Sequence, residues 1–191
     1  MKYLLFAFLS IACLQTSFGQ KYMNTDGAEV TTEYKEATFS SKKTLTENLE
    51  NVQSFSFFIQ VLAQPSVADV LSNEEMVTVF VPTNAAFASF SEEEKEALLK
   101  DTQKLQELVK QHTIPGRVDA YSLTYQMEKT GGTVQLKTLS NETLNVRQDG
   151  NNLIISSKDK GSAMILDTDF YHKNGFFHIV DGALFPSDSD K

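Results

Sequence analysis

Three histidines, His112, His172 and His178, and a single cysteine, Cys13, are the side chains from which metal, nucleophilic or general-base chemistry would have to be built. His172 and His178 flank Asn174-Gly175, a pair that favours a tight turn and would set two adjacent strands side by side. With Asp167 or Asp169 as a third ligand they could be nominated as the metal centre of a hydrolase. The spacing fits no compact ligand motif, and unrelated core and surface histidines account for it better. Acyl transfer lacks its Gly-x-Ser-x-Gly elbow, and Cys13 falls in a leader, which leaves no thiol for a Cys-His pair. Lys129-Thr130-Gly131-Gly132 lacks the spacing of either nucleotide fingerprint. Glu92, Glu93 and Glu94 are adjacent in the chain, whereas glycosidase carboxylates converge on a cleft from separate elements; they read as a solvated helix start. No catalytic, metal-binding or cofactor-binding residue is expected, and the chain is expected not to be an enzyme.

The first residues point outside the cytoplasm. Met1-Lys2, an apolar run from Tyr3 to Leu14 and the small residues Ser17 and Gly19 form a secretory leader over 1–19, cut before Gln20. The run is shorter than the about 20 residues a transmembrane helix needs. A lipoprotein anchored through Cys13 is the alternative, but such leaders carry Leu three residues before the cysteine, and Ser10 stands there. The product is expected to be secreted or periplasmic and without disulfides. A formal net charge of −8 repels phosphate backbones and keeps an exported protein soluble, so nucleic acid is not an expected partner. Asn141-Glu142-Thr143 is a glycosylation sequon on an expected turn, and Ser187 to Lys191 is polar.

Residues 20–41 hold few apolar anchors and read as a flexible N-terminal arm. Thr44 and Glu47 form a capping box ahead of Leu45 and Leu49. A second helix should bury Phe55, Phe58, Ile59 and Leu62 and stop at Gln64-Pro65, and Val67 to Leu71 offers one more apolar turn. Met76 to Val81 reads as a buried strand ended by Pro82. Ser91 with Glu94 opens a helix carrying Leu98 and Leu99, and Asp101 caps another that places Leu105, Leu108, Val109 and His112 on one face. From Arg117 onward the pattern alternates, as antiparallel strands require, with turns at Gly131-Gly132, Ser140-Asn141, Asp149 to Asn152, Lys160-Gly161 and Asn174-Gly175. Helices first and strands afterward make an α+β fold. Phe55-Phe57-Phe58 and Phe176-Phe177 put neighbouring rings on opposite faces, so each cluster calls for a second covering layer or an exposed aromatic patch.

Two segments are more specific. Thr78-Val79-Phe80-Val81-Pro82-Thr83-Asn84-Ala85-Ala86-Phe87 strongly resembles the first signature of fasciclin-type domains. His178-Ile179-Val180-Asp181-Gly182-Ala183-Leu184-Phe185-Pro186 resembles the closing signature, and His112 to Val118 is similar to the central segment. The resemblance covers about residues 42–188 and implies a fasciclin-type wedge, antiparallel β-sheets flanked by helices from the N-terminal half, with 189–191 as a polar tail. Physically these signatures are scaffold: Pro82 ends pairing, Thr83 and Asn84 cap and turn, Phe87 plugs the core, and Asp181-Gly182 bends the chain.

Such domains are typically extracellular adhesion modules. The resemblance therefore implies a non-catalytic adhesion or matrix-interaction role, with an extracellular protein, a polysaccharide or a second copy as partner. A carrier of a lipid or glycan is the rival reading. Some members use a Tyr-His and an Asp-Ile pair in receptor binding; here the positions read Gln111-His112 and Asp169-Phe170, so integrin-type recognition is not carried over. The nominated partner surface is His112, Pro115, Gly116 and Arg117 together with Asp169, Phe170 and the residues up to Lys173. For His112 an internal hydrogen bond is the favoured alternative to a direct contact.

Overall fold

In a computed structural model, residues 27–35, 37–158 and 161–184 are described. The leader with Cys13, residues 20–26 of the arm, Pro186 and the polar tail lie outside the described residues.

Three short helices begin at side chains chosen for the task. Thr44 opens α1 (Leu45–Leu49) and Ser91 opens α4 (Glu92–Lys100), each through a complete capping box with the glutamate three residues on. Asp101 caps α5 (Thr102–Gln111) by accepting from the Gln103 and Lys104 amides. Between them a 3₁₀ turn (Gln53–Phe55) leads into α2 (Ser56–Leu62), and α3 (Pro65–Ser72) starts on the proline that ends its predecessor.

The sheet has seven strands in the order β4-β3-β9-β8-β7-β6-β5. They are β3 (Val77–Pro82), β4 (Thr113–Pro115), β5 (Thr133–Lys137), β6 (Thr143–Asp149), β7 (Asn152–Ser157), β8 (Ser162–His172) and β9 (Gly175–Val180). Neighbours run antiparallel except β3 and β9, the two signature strands, which pair in parallel at the centre. Side chains alternate across this pair. Val77, Val79, Val81, Phe177 and Ile179 pack on α1, α2, α3 and α5, while Phe80 and Val180 join a second core with β5 to β8.

Asn174-Gly175 closes the β8–β9 hairpin against β3, where a Cβ on Gly175 would lie 1.8 Å from the Val77 carbonyl oxygen. Only glycine fits so close an approach. Asp181 then accepts the Met164 amide at 2.7 Å through Oδ1, securing the end of β9 to β8.

Two expectations are corrected. The stretch read as a flexible arm over 20–41 holds a structured segment: β1 (Thr31–Tyr34) and β2 (Ala37–Ser40) form an antiparallel hairpin. Tyr34 and Phe39 are buried, and the Phe39 ring sits 5.1 Å from those of Phe170 and Phe177. The buried Asn48 carboxamide fixes the hairpin, accepting the Ser40 amide at 2.7 Å and donating to the carbonyls of Ser40 at 3.0 Å and Tyr171 at 3.3 Å. Two aromatics among many polar residues were enough, because the sheet offers them a ready aromatic surface.

The alternating half also contains a helix, α6 (Ala120–Thr130). Only Leu123 and Met127 of its residues are buried, so its apolar stripe is too thin to show helical periodicity. Its ends are conventional, with Asp119 as N-cap and Gly131 in the left-handed conformation as C-cap.

The phenylalanine clusters are covered. Phe57 packs on Phe87 at 4.6 Å, and the Arg117 guanidinium lies 4.6 Å over Phe176, whose other neighbour is the Tyr171 ring at 4.7 Å.

Candidate functional site

The candidate surface is built where β4 turns into α6. Buried Thr78 clamps this turn from β3: its hydroxyl donates to the Gly116 carbonyl at 2.8 Å and accepts the Val118 amide at 2.9 Å. Arg117 points back over Phe176, and its Nε and a terminal nitrogen each meet Asp119 Oδ2 at 2.9 Å. Asp119 Oδ1 accepts the Ser122 amide at 2.7 Å. Partial burial opposes ionisation of Asp119, but the hydrogen bonds from Ser122 and the Arg117 charge outweigh it and hold the carboxyl below its ordinary range.

A second carboxylate comes from β8. Asp169 occupies a break in the β8–β9 register with φ at 65°, and its Oδ1 accepts the Ala120 amide, the first of α6, at 2.9 Å. Its own amide donates to His178 Nδ1 at 3.1 Å, and His178 Nε2 lies 2.7 Å from the Val118 carbonyl. A carbonyl only accepts, so the proton is on Nε2 and Nδ1 is the acceptor. Burial pushes the His178 pKa down, against the opposing pull of the Val118 carbonyl and of Asp169 and Asp119.

His112 is equally internal. It is fully buried, bonds through Nδ1 to the Leu108 carbonyl at 2.8 Å, and accepts the Leu184 amide at 3.0 Å on Nε2. Burial takes its pKa down to about 4. His172 is buried with no hydrogen bond to either ring nitrogen, and burial again sets its pKa at about 4 although the Phe176 backbone and the Asn174 side chain favour the cation.

Of the nominated partner residues, His112 and Phe170 are therefore corrected: both are sealed in the core, His112 by backbone partners and Phe170 by the rings of Tyr34, Phe39 and Phe177. Pro115 and Arg117 are exposed, and Gly116 and Asp169 are half-buried. The two nominated segments do converge, through Asp119 and Ala120, on the start of α6. The metal pair fares differently, because His172 packs near Phe177 and His178 near Phe80, rings that belong to opposite faces of the sheet. Among the described residues no group of three His, Cys, Asp or Glu is placed to hold a metal ion.

In the first signature Asn84 bonds not to its own turn but across to the start of α2, accepting the Phe57 amide at 3.1 Å and donating to the Gln53 carbonyl and Ser56 hydroxyl at 2.9 Å each. Thr83 departs from expectation: its side chain makes no cap bond, and its amide donates to the Val180 carbonyl at 3.0 Å.

Sequence pattern alone did not single out Tyr121 and Tyr125. They stand 79% and 50% exposed on α6, their rings 6.3 Å apart and within 15° of parallel, with Lys129 Nζ 5.3 Å from the Tyr125 ring. The i, i+4, i+8 spacing is the signal that shows them on one helical face, once the helix itself is known. The sequon residue Asn141 is exposed on the turn between β5 and β6. Among the described residues no single helix is long and apolar enough to cross a membrane.

Comparison with known proteins agrees with this geometry. Human periostin is 27% identical over 184 residues, which is 96% of this chain but 21% of periostin. Protein sll1483 of Synechocystis is 26% identical and covered over 85% of its length, and Fasciclin-1 of Drosophila melanogaster is 26% identical over 21% of its own. The chain thus spans about a fifth of periostin and of Fasciclin-1, and most of the cyanobacterial protein. A solved FAS1 domain pair from the insect cell adhesion molecule Fasciclin I superposes with a TM-score of 0.53 at 23% identity, covering 70% of this chain and 45% of that one. The fasciclin domain profile matches residues 53–186, and with that span and both signature strands paired at the centre of the sheet, the chain belongs to the fasciclin domain family.

Proposed function

We propose that this protein is a non-catalytic adhesion or matrix-interaction module, exported through its leader, that binds extracellular protein or polysaccharide through the surface around the start of α6. The observation that supports it is a division of labour. His112, His178 and Asp169, the groups best suited to chemistry, are bonded to backbone groups that hold elements together, while Tyr121 and Tyr125 project into solvent. Paired aromatic rings on a fixed helix are the kind of group that carries binding energy at interfaces, since they offer area and a hydroxyl at little entropic cost. The adhesion role named for the solved relative points the same way. The net charge of −8 directs the choice of partner away from nucleic acid.

The test immobilises the folded domain and measures capture of extracellular protein and polysaccharide fractions from its native source, with sedimentation reporting self-association. Tyr121→Ser with Tyr125→Ser should leave the unfolding midpoint unchanged and weaken capture by about tenfold or more, the size expected for hot-spot aromatics. Undiminished capture by a normally folded double variant would move the binding surface elsewhere.

A further inference from the structure

The join between α6 and the sheet has a property that the binding reading does not use. Asp169 touches both sides of it: the carboxylate holds the Ala120 amide, and the backbone N–H depends on His178 Nδ1 as acceptor. That second bond exists only while the imidazole is neutral. A proton on Nδ1 would turn two groups that now bond into two donors facing each other, on a ring that is itself buried.

The charged groups facing the ring from the surrounding elements decide where a protonated imidazole finds its counter-charge. Asp169 approaches from β8 and Asp119 from the 115–119 turn, while β3 contributes the Phe80 ring at 5.3 Å. Asp119 is committed to the Arg117 guanidinium and the Ser122 amide. Among the described residues Asp169 is held by neutral donors, the Ala120 amide and the Thr168 hydroxyl at 3.4 Å. An imidazolium outbids neutral donors for a carboxylate, because charge-assisted hydrogen bonds are about twice as strong.

We propose that His178 and Asp169 form an acid-triggered latch: on taking a proton from solvent at Nδ1, His178 draws the Asp169 carboxylate away from the Ala120 amide and releases the start of α6 from the sheet. At neutral pH the latch is closed. It opens as pH falls below the ordinary imidazole range, which matches the downward direction of the His178 pKa. After release α6 keeps its Asp119 cap and its C-terminal bond from Thr130 to Thr133 of β5, but only Leu123 and Met127 of its residues are buried, so the helix carrying Tyr121 and Tyr125 loosens from its start before the sheet does. The latch holds whatever α6 binds, and its test needs no partner.

Hydrogen exchange by mass spectrometry, corrected for the pH dependence of intrinsic exchange, compares peptides covering 120–130 with those covering β6 and β7. Acidification from pH 7.5 to 5 should reduce α6 protection by about tenfold more in the native protein than in an Asp169→Asn variant, beyond the loss at β6–β7 that the buried His112 and His172 bring to both, the scale set by one charged hydrogen bond. Asp169→Asn keeps an acceptor for Ala120 and suits the left-handed backbone, but offers an imidazolium no charge. Its α6 protection should persist until the sheet itself opens. An α6 protection that falls no further than sheet protection in the native protein, or an Asp169→Asn profile that follows the native one, would overturn the latch. If that variant folds poorly, NMR titration of the native protein decides: the Ala120 amide and the His178 ring should shift with one shared midpoint, and separate midpoints refute the coupling.

Discussion

Replacing His172 with leucine should make the protein more stable and less sensitive to acid. His172 is 2% exposed, packs 6.3 Å from the Phe177 ring, and leaves both ring nitrogens without a hydrogen bond. An unsatisfied buried polar group costs about 1–3 kcal/mol, so His172→Leu, of similar bulk and fully apolar, should gain that much at pH 7.5. The pH dependence adds a second, independent magnitude. The folded protein holds this imidazole at about 4, against 6.5 for an ordinary histidine. The fold tolerates the neutral ring and the unfolded chain accepts the proton more readily. The contribution is therefore fully present above pH 6.5 and is lost as pH falls through about 4. At about 1.36 kcal/mol per tenfold difference in proton affinity the whole effect is about 3 kcal/mol, of which about 2 kcal/mol disappears between pH 7.5 and 5. Urea unfolding followed by far-ultraviolet circular dichroism at pH 7.5, 6 and 5 measures both terms. His112 contributes a similar acid loss to both proteins, so the native fold should still weaken on acidification while the variant weakens by about 2 kcal/mol less. A variant less stable at pH 7.5, or one with the native pH slope, would show that His172 has a partner or titrates normally in the folded state.

Gly175→Ala should cost more than about 3 kcal/mol or prevent folding, because the added methyl group would meet the Val77 carbonyl oxygen at 1.8 Å at the joint between β3 and β9; thermal unfolding and soluble yield report it. Phe39→Ala should cost about 3–5 kcal/mol in urea unfolding, as for any core phenylalanine, and a loss below about 1 kcal/mol would restore residues 31–40 to the status of a dispensable arm.

Local chemistry made much of this fold legible. Thr44, Ser91 and Asp101 announce helix starts because each satisfies orphan amides within a few residues of itself, and nothing remote alters that. The strand at Met76 to Val81 is similarly evident from its run of β-branched and aromatic side chains. The hairpin at 31–40 was hidden because its stability is lent by rings 130 and more residues away, those of Phe170 and Phe177. For α6 the obscuring factor was shallow burial, with two inward residues standing in for a stripe.

The candidate site divides along the same line. Residues 112–118 could be marked as a recognisable segment, and so could the neighbourhood of Asp169, but not that the two meet at Ala120. Nor could residue type tell the buried His112 and Phe170 from the exposed Arg117, since a histidine or phenylalanine at such a position suits either a core or an interface. What the order of residues determined by itself is the family, the helix caps and the strand alternation, all consequences of short-range stereochemistry. Only the tertiary structure decided which carboxylate serves which helix, which imidazoles lose water, and which rings remain in it, because burial is a property of distant segments packed together and no residue carries it alone.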